Sequence, residues 1–237
     1  MMLVDGIDII NYGVEVINKI IKTSKFSTSK NWSKGAYKPI TTSKQFIYGT
    51  LTLTILISAN TEDELKAKKS NFINDISESE IKDGCFCYKV ILKASTENEV
   101  FINALDDRYC ENISLTFDID EKYKEEVITE VVLSDSKFNI NVEGNTETPA
   151  IVEITPTTEL ADVILEGLAD DPIIIENLIS NKTVILDGEL QKVTVDGVNK
   201  YGDTDMWGFP RLKPGLNTIT VNKNNCDIKI KYKPRYI

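Results

Sequence analysis

The side chains able to do chemistry in this sequence are carboxylates, four thiols and one aromatic loop, because its 237 residues contain no histidine. Without an imidazole there is no Ser-His-Asp or Cys-His relay, no general base poised near neutrality, and none of the commonest metal ligand. Two carboxylates at a suitable separation are enough to hydrolyse a glycoside. Adjacent acids stand at Asp106-Asp107, Glu125-Glu126 and Asp170-Asp171, with a spaced pair at Asp203 and Asp205. In a chain with 37 acidic against 27 basic residues and a net charge of −10, such pairs belong on solvated turns. No spacing brings two of them to one cleft, so no catalytic residue is assigned and no enzyme is expected.

The thiols are no better placed. Cys85 and Cys87 sit one residue apart in a segment that reads as a strand, Cys85 to Leu92, which puts both on one face. Cys110 and Cys226 stand alone, and no Cys-x-x-Cys pair occurs, so a tetrahedral metal site would need all four to converge from distant places. They read as small buried hydrophobes. No stretch has the ligand ladder of a calcium loop or the glycines of a phosphate cradle, and neither metal nor cofactor is expected. That leaves the loop Tyr201-Gly-Asp-Thr-Asp-Met-Trp207-Gly-Phe209. Tyr201 and Trp207 could stack on a sugar while Asp203 and Asp205 accept from its hydroxyls; the competing reading makes Trp207 a lid over a sandwich core.

The acidic balance opposes a general grip on phosphate backbones, so nucleic-acid binding is not expected. No apolar run approaches the ~20 residues needed to cross a bilayer, and the N-terminus lacks the basic start and apolar stretch of a secretion signal. The expectation is a chain made and folded in a cytoplasm, without membrane insertion.

The elements that must position these side chains are mostly strands. Thr50 to Ser58 alternates, with Leu51, Leu53, Ile55 and Ile57 on one face. Thr61 then caps a helix over about 61–77, with Glu64 reaching back, Leu65, Phe72, Ile73 and Ile76 on its inner side, and Glu62–Lys66 and Glu64–Lys68 as supporting pairs. The run Lys66-Ala-Lys-Lys69 reads as a solvated helix face. Strands follow at Tyr88 to Lys93, Glu99 to Ala104 and Ile113 to Ile119, broken at Asp106 to Arg108 and by the charged run Asp120 to Glu126. The polar stretch Asn141 to Pro149 marks a boundary between a domain of residues 1–142, with the helix on its sheet, and a domain of residues 143–237. Beyond it, apolar strands around Ile151, Val163, Ile174, Val184, Val193, Ile219 and Ile230 predict an all-β sandwich or jelly roll. Ser27 to Thr42, rich in Ser, Thr and Lys, reads as an exposed loop or long hairpin.

The last quarter carries the densest pattern. Asp187-Gly188 and Asp196-Gly197 each suit the positive backbone angles of a tight hairpin. Phe209-Pro-Arg-Leu-Lys-Pro-Gly215 is a loop feeding a strand to Val221, with Asn217, Ile219 and Val221 on one face, and Ile228, Ile230 and Tyr232 line one face of the closing strand. In order and spacing these segments resemble the end of the distal tail protein family of long-tailed bacteriophages, with Asp187, Gly188, Pro214, Gly215, Asn217 and Arg235 tied to the pattern. Val4 to Ile9 and Tyr12 to Val14 resemble that family's opening strand and turn. The resemblance implies a mainly β protein whose N-terminal β domain carries one α-helix packed on its sheet, followed by a C-terminal galectin-like β-sandwich. It implies a homo-hexameric ring at the end of the tail tube in the virion, built in the bacterial host cytoplasm. Its partners would be the tail tube protein, a tail tip hub protein and receptor-binding proteins. Within that role, residues 27–48, with Trp32 and Tyr37 at their tip, would contact ring neighbours or the tube, and acidic residues facing the channel would keep passing DNA from sticking.

Overall fold

The computed structural model describes residues 2–35, 37–132 and 137–237. The chain divides into two compact units, Met1–Lys122 with Ile237, and Tyr123–Tyr236. The division falls some 20 residues before the expected boundary at 142/143. Residues 127–132 and 137–142 read as either unit's strands would, and it is their hydrogen-bond partners, 73 to 105 residues further on, that assign them to the second unit.

The first unit contains β1 (Met2–Val4), β2 (Ile7–Asp8), β3 (Val14–Lys22), β4 (Lys25–Asn31), β5 (Ile40–Ile47), β6 (Gly49–Ala59), α1 (Glu62–Ile76), β7 (Glu78–Asp83), β8 (Phe86–Glu97), β9 (Phe101–Ile102) and β10 (Tyr109–Lys124). Its main sheet runs β2-β1-β7-β8-β10-β6-β3, while β4 and β5 pair only with each other. β6 and β10 are antiparallel in unbroken register, which sets Leu51 opposite Phe117, Leu53 opposite Leu115 and Ile55 opposite Ile113, all buried. On the other face the same register pairs Thr52 with Thr116 and Thr54 with Ser114, and their hydroxyls bond to one another. Period-two alternation thus makes one oily and one wet face.

Helix α1 covers the oily face with Leu65, Phe72 and Ile76, and Tyr12 meets Phe72 edge-on at 5.7 Å. Its start follows from the predicted cap: Thr61 Oγ1 accepts from Glu64 N at 3.2 Å, and Glu64 Oε2 accepts from Asn60 N at 3.1 Å. Glu62 and Lys66 pair at 2.7 Å. The expected Glu64–Lys68 pair does not form, because Glu64 is turned back to the cap and Lys68 Nζ donates to Ser58 O at 2.9 Å.

Lys69 corrects the reading of a solvated basic face. Glu111 lies on the same face of β10 as Ile113 and Leu115, with only 3% of its surface exposed. Lys69 Nζ donates to both its oxygens, at 3.3 and 3.2 Å, and to Glu97 Oε2 at 2.9 Å. A buried carboxylate needs such a partner, and the helix supplies it. Three further expectations change. The charged run after Asp120 does not end the strand, since β10 continues to Lys124 with Tyr123 buried. The strand expected over Glu99 to Ala104 is reduced to β9. Cys85 is exposed in the two-residue turn between β7 and β8, whereas Cys87, Cys110 and Cys226 are buried.

The second unit contains β11 (Val127–Val132), β12 (Lys137–Val142), β13 (Thr148–Pro156), β14 (Leu160–Glu166), β15 (Ile173–Leu178), β16 (Val184–Asp187), β17 (Lys192–Val195), β18 (Val198–Asn199), β19 (Thr204–Asp205), β20 (Arg211–Leu212), β21 (Gly215–Val221), β22 (Cys226–Tyr232) and β23 (Arg235–Tyr236). One sheet runs β11-β22-β13-β16-β17-β18 and the other β12-β21-β14-β15-β19. Their inner residues form one core, among them Val152, Ile154, Ile230 and Leu186 from the first sheet and Val163, Leu165, Ile175 and Ile219 from the second. The unit is a β-sandwich, and the chain is mainly β with one α-helix among the described residues.

The replacement Lys69→Met is expected to cost about 3–5 kcal/mol of stability in urea unfolding, because it leaves the Glu111 carboxylate buried without its cation. Adding Glu111→Leu should recover most of that loss. A K69M variant as stable as the wild type would show that the pair contributes nothing.

Candidate functional site

Two exposed regions and one set of buried connections hold the residues singled out by the sequence. β4 and β5 form an antiparallel ribbon, pairing Lys25 with Ile47 through Asn31 with Ile40, with a slip after Ser29. Thr42 Oγ1 donates to Ser29 O at 3.2 Å, and Gly49 N donates to Ser24 Oγ at 2.9 Å near the base. Of the two readings of Ser27 to Thr42, the hairpin is the one that forms. Trp32 is 66% and Tyr37 98% exposed at its tip. A two-stranded ribbon without a core is marginally stable in water, so exposed aromatic side chains on one are surface available for contact.

The second region is the loop 201–209. Tyr201–Asp203 form a short 3-10 turn, and the Tyr201 ring stacks on Phe209 at 5.9 Å. Phe209 packs against the sandwich core, so it takes the lid position that one reading gave to Trp207; Trp207 is 89% exposed. Lys200 pairs with Asp203 at 2.7 Å and holds that carboxyl below its usual pKa by hydrogen bonding and charge. Asp205 lies in β19 opposite Ile174. A groove of about 560 Å³ is lined by Gln191, Lys192, Thr194, Asn199, Tyr201 and Phe209 among others. Of the four candidate glycan contacts only Tyr201 lines it. Asp106 is tied to Arg108 and Asp170 to Arg211 on the surface, and no group of three or more acidic or cysteine side chains able to hold a metal ion occurs among the described residues.

The buried connections involve the patterned residues of the last quarter. Asp187 Oδ1 accepts from Glu189 N at 2.9 Å and Leu190 N at 2.8 Å, bracing a four-residue loop between β16 and β17. In this loop the positive backbone angle falls on Gln191, with φ 53°, and not on Gly188 as expected. Gly188 is required by close approach: its N–H donates to Ala150 O at 3.0 Å, and a β-carbon there would stand 2.1 Å from Pro210 O. Asp196-Gly197 is the two-residue turn predicted, with φ of 50° and 79°. Buried Asn217 fastens the loop after Phe209: its Oδ1 accepts from Lys213 N at 2.9 Å, and its Nδ2 donates to Lys213 O at 2.7 Å and Gly215 O at 3.0 Å, on either side of exposed Pro214. Arg235 closes the unit, its N–H donating to Thr148 Oγ1 at 3.2 Å and its carbonyl accepting from Asn145 N at 3.1 Å. The sequence did not single out Thr148 or Glu111, since a polar residue within an alternating strand carries no mark of its buried partner.

Asn217→Ala removes three hydrogen bonds of a buried amide, to the Lys213 N–H and to the carbonyls of Lys213 and Gly215, and is expected to cost about 2–3 kcal/mol. Chemical denaturation of the purified protein checks this; a loss below about 0.5 kcal/mol would mean that water replaces the amide.

Residues 143–236 match the family model of the siphovirus-type tail component, C-terminal domain. No curated protein matches the sequence. Among solved structures, the Dit protein (gp 19.1) of SPP1, described as a paradigm of the hub adsorption apparatus in phages infecting Gram-positive bacteria, is similar with a TM-score of 0.78 at 14% identity, over 100% of this chain and 98% of that one. Chains of the phage P2 baseplate in its activated conformation, with Ca and with Sr, are similar with TM-scores of 0.54 and 0.53, each at 12% identity over 94% of this chain and 92% of the other. Residues 143–236 thus match the siphovirus-type tail component domain, and the chain as a whole shares the fold of SPP1 Dit.

Proposed function

We propose that this chain is a structural hub of a long phage tail. Six copies close a ring at the distal end of the tail tube, and the ring joins the tube to the tip protein and, through it, to receptor-binding proteins. The observation that carries this reading is the similarity to SPP1 Dit over the full length of both chains. The role is mechanical and needs no chemistry from the protein. The N-terminal unit makes the ring, with acidic side chains toward the channel through which DNA passes, and the sandwich offers docking surface to other tip components. The assembled protein belongs to the virion and is put together in the host cytoplasm. A heterologous contact repeated around an axis requires two different surfaces on each copy, and the exposed ribbon 25–47 is a candidate for one of them.

Light scattering on a sizing column, with negative-stain images of the main peak, should give a mass of about six copies and sixfold rings. Removing residues 32–37 should leave a folded protein by circular dichroism that runs as a monomer. Intact rings from that deletion would clear the ribbon tip of any role in assembly. A wild-type protein that stays monomeric even with tube protein present would end the ring reading.

A second reading is favoured by one observation, the 89% exposure of Trp207 close in sequence to the Tyr201–Phe209 stack. An exposed tryptophan is a stacking platform for a sugar ring, and the sandwich would then also bind cell-wall glycan. Titration with purified host polysaccharide should shift the emission of the wild type and leave Trp207→Ala silent; no shift in the wild type removes this reading.

A further inference from the structure

Charge in this protein is segregated along the chain. Residues 16–61 contain seven lysines and no acidic residue, so the other 20 basic and 37 acidic residues leave the rest of the chain at −17. Five of the seven, Lys25, Lys30, Lys34, Lys38 and Lys44, lie on or at the tip of the ribbon formed by β4 and β5. Among the described residues, Lys25, Lys30, Lys34 and Lys38 have no ion partner. Elsewhere most lysines are paired: Lys66 with Glu62, Lys93 with Asp118, Lys124 with Glu143, Lys182 with Asp196, Lys223 with Asp162, Lys229 with Glu130. Single exposed ion pairs are worth little, so one unpaired lysine signifies nothing. Like charges concentrated on a ribbon that has no core are another matter, since they repel one another where the fold gives nothing back. No acidic residue lies between 16 and 61 to offset them locally.

Acids without an ion partner are exposed on the same unit, among them Asp75 and Glu78 around the end of α1. We infer that the lysine ribbon is an electrostatic clamp that grips the acidic surface of a second copy of this chain, with Trp32 and Tyr37 supplying the apolar contact at its tip. Complementary charge steers two copies into register and weakens as salt screens it. The inference deepens the ring reading and takes only the number of copies from it. It makes self-association of a net acidic protein strengthen at low salt, where a uniformly acidic surface would repel itself more strongly.

The test is sedimentation of the full-length protein at about 0.1 M and about 1 M salt, between which the screening length falls from about 10 Å to about 3 Å. The comparison protein carries K25Q, K30Q, K34Q and K38Q together, all exposed, with circular dichroism and melting temperature as checks on its fold. The wild type should associate at low salt at least ~10-fold more tightly than at high salt, and the fourfold variant should lose that salt-dependent part. Salt-insensitive rings in both proteins would overturn the clamp and leave the ring reading intact. Salt-dependent dimers lost in the variant, with no ring at any concentration, would uphold the clamp and defeat the ring. Lysine-dependent binding of a labelled DNA duplex at low salt, without self-association, would assign the ribbon to nucleic acid and overturn the proposal.

Discussion

Alternation with a period of two gives each long strand of this protein a face that has to be kept from water, and the means of covering it separate the two units. In the first, β6 and β10 run side by side in unbroken register, so that Leu51, Leu53 and Ile55 meet Phe117, Leu115 and Ile113. Each such side chain is worth about 1.5–3 kcal/mol when buried, and a single register slip would turn the whole set to solvent. One helix covers this face, and its placement is constrained at both ends. Its start is set by Thr61 and Glu64, and its middle is pinned by Lys69, which must reach Glu111 under the helix. The charge pair adds a polar anchor to a cover whose buried face is set by Leu65, Phe72 and Ile76.

In the second unit the cover is another sheet. Two sets of inner residues interlock, and the outer loops are held by polar groups that stand in for missing backbone partners. Asn217 presents its amide to Lys213 and Gly215 much as a neighbouring strand would, and Asp187 does the same for the loop after β16. Arg235 ties the last strand to Thr148 and Asn145.

How far the sequence reached depends on whether the deciding interaction was local. The helix over 62–76, the strand faces, the Asp196-Gly197 turn and the alternation around Asn217 were legible, because caps, periodicity and turn chemistry act within a few residues. The membership of β11 and β12 was not: they find their partners in β22 and β21, and nothing in a short alternating segment names its partner. Glycine 188 looked like a turn residue and is a contact residue, because the carbonyl that excludes a side chain comes from Pro210. Trp207 competed with Phe209 for one place over the core, and only the folded chain chose.

The sequence by itself determined the class of the protein: strands with one apolar face, one capped helix, no imidazole for catalysis, and an ordered set of C-terminal segments that resembles the distal tail proteins. Tertiary structure decided which lysines are spent and which are free. Lys69 is drawn under the helix to a buried carboxylate, while Lys25, Lys30, Lys34 and Lys38 are carried away from the acids by a ribbon that pairs only with itself. Charge can be counted along a chain, but pairing depends on distances of a few ångströms that only the fold establishes.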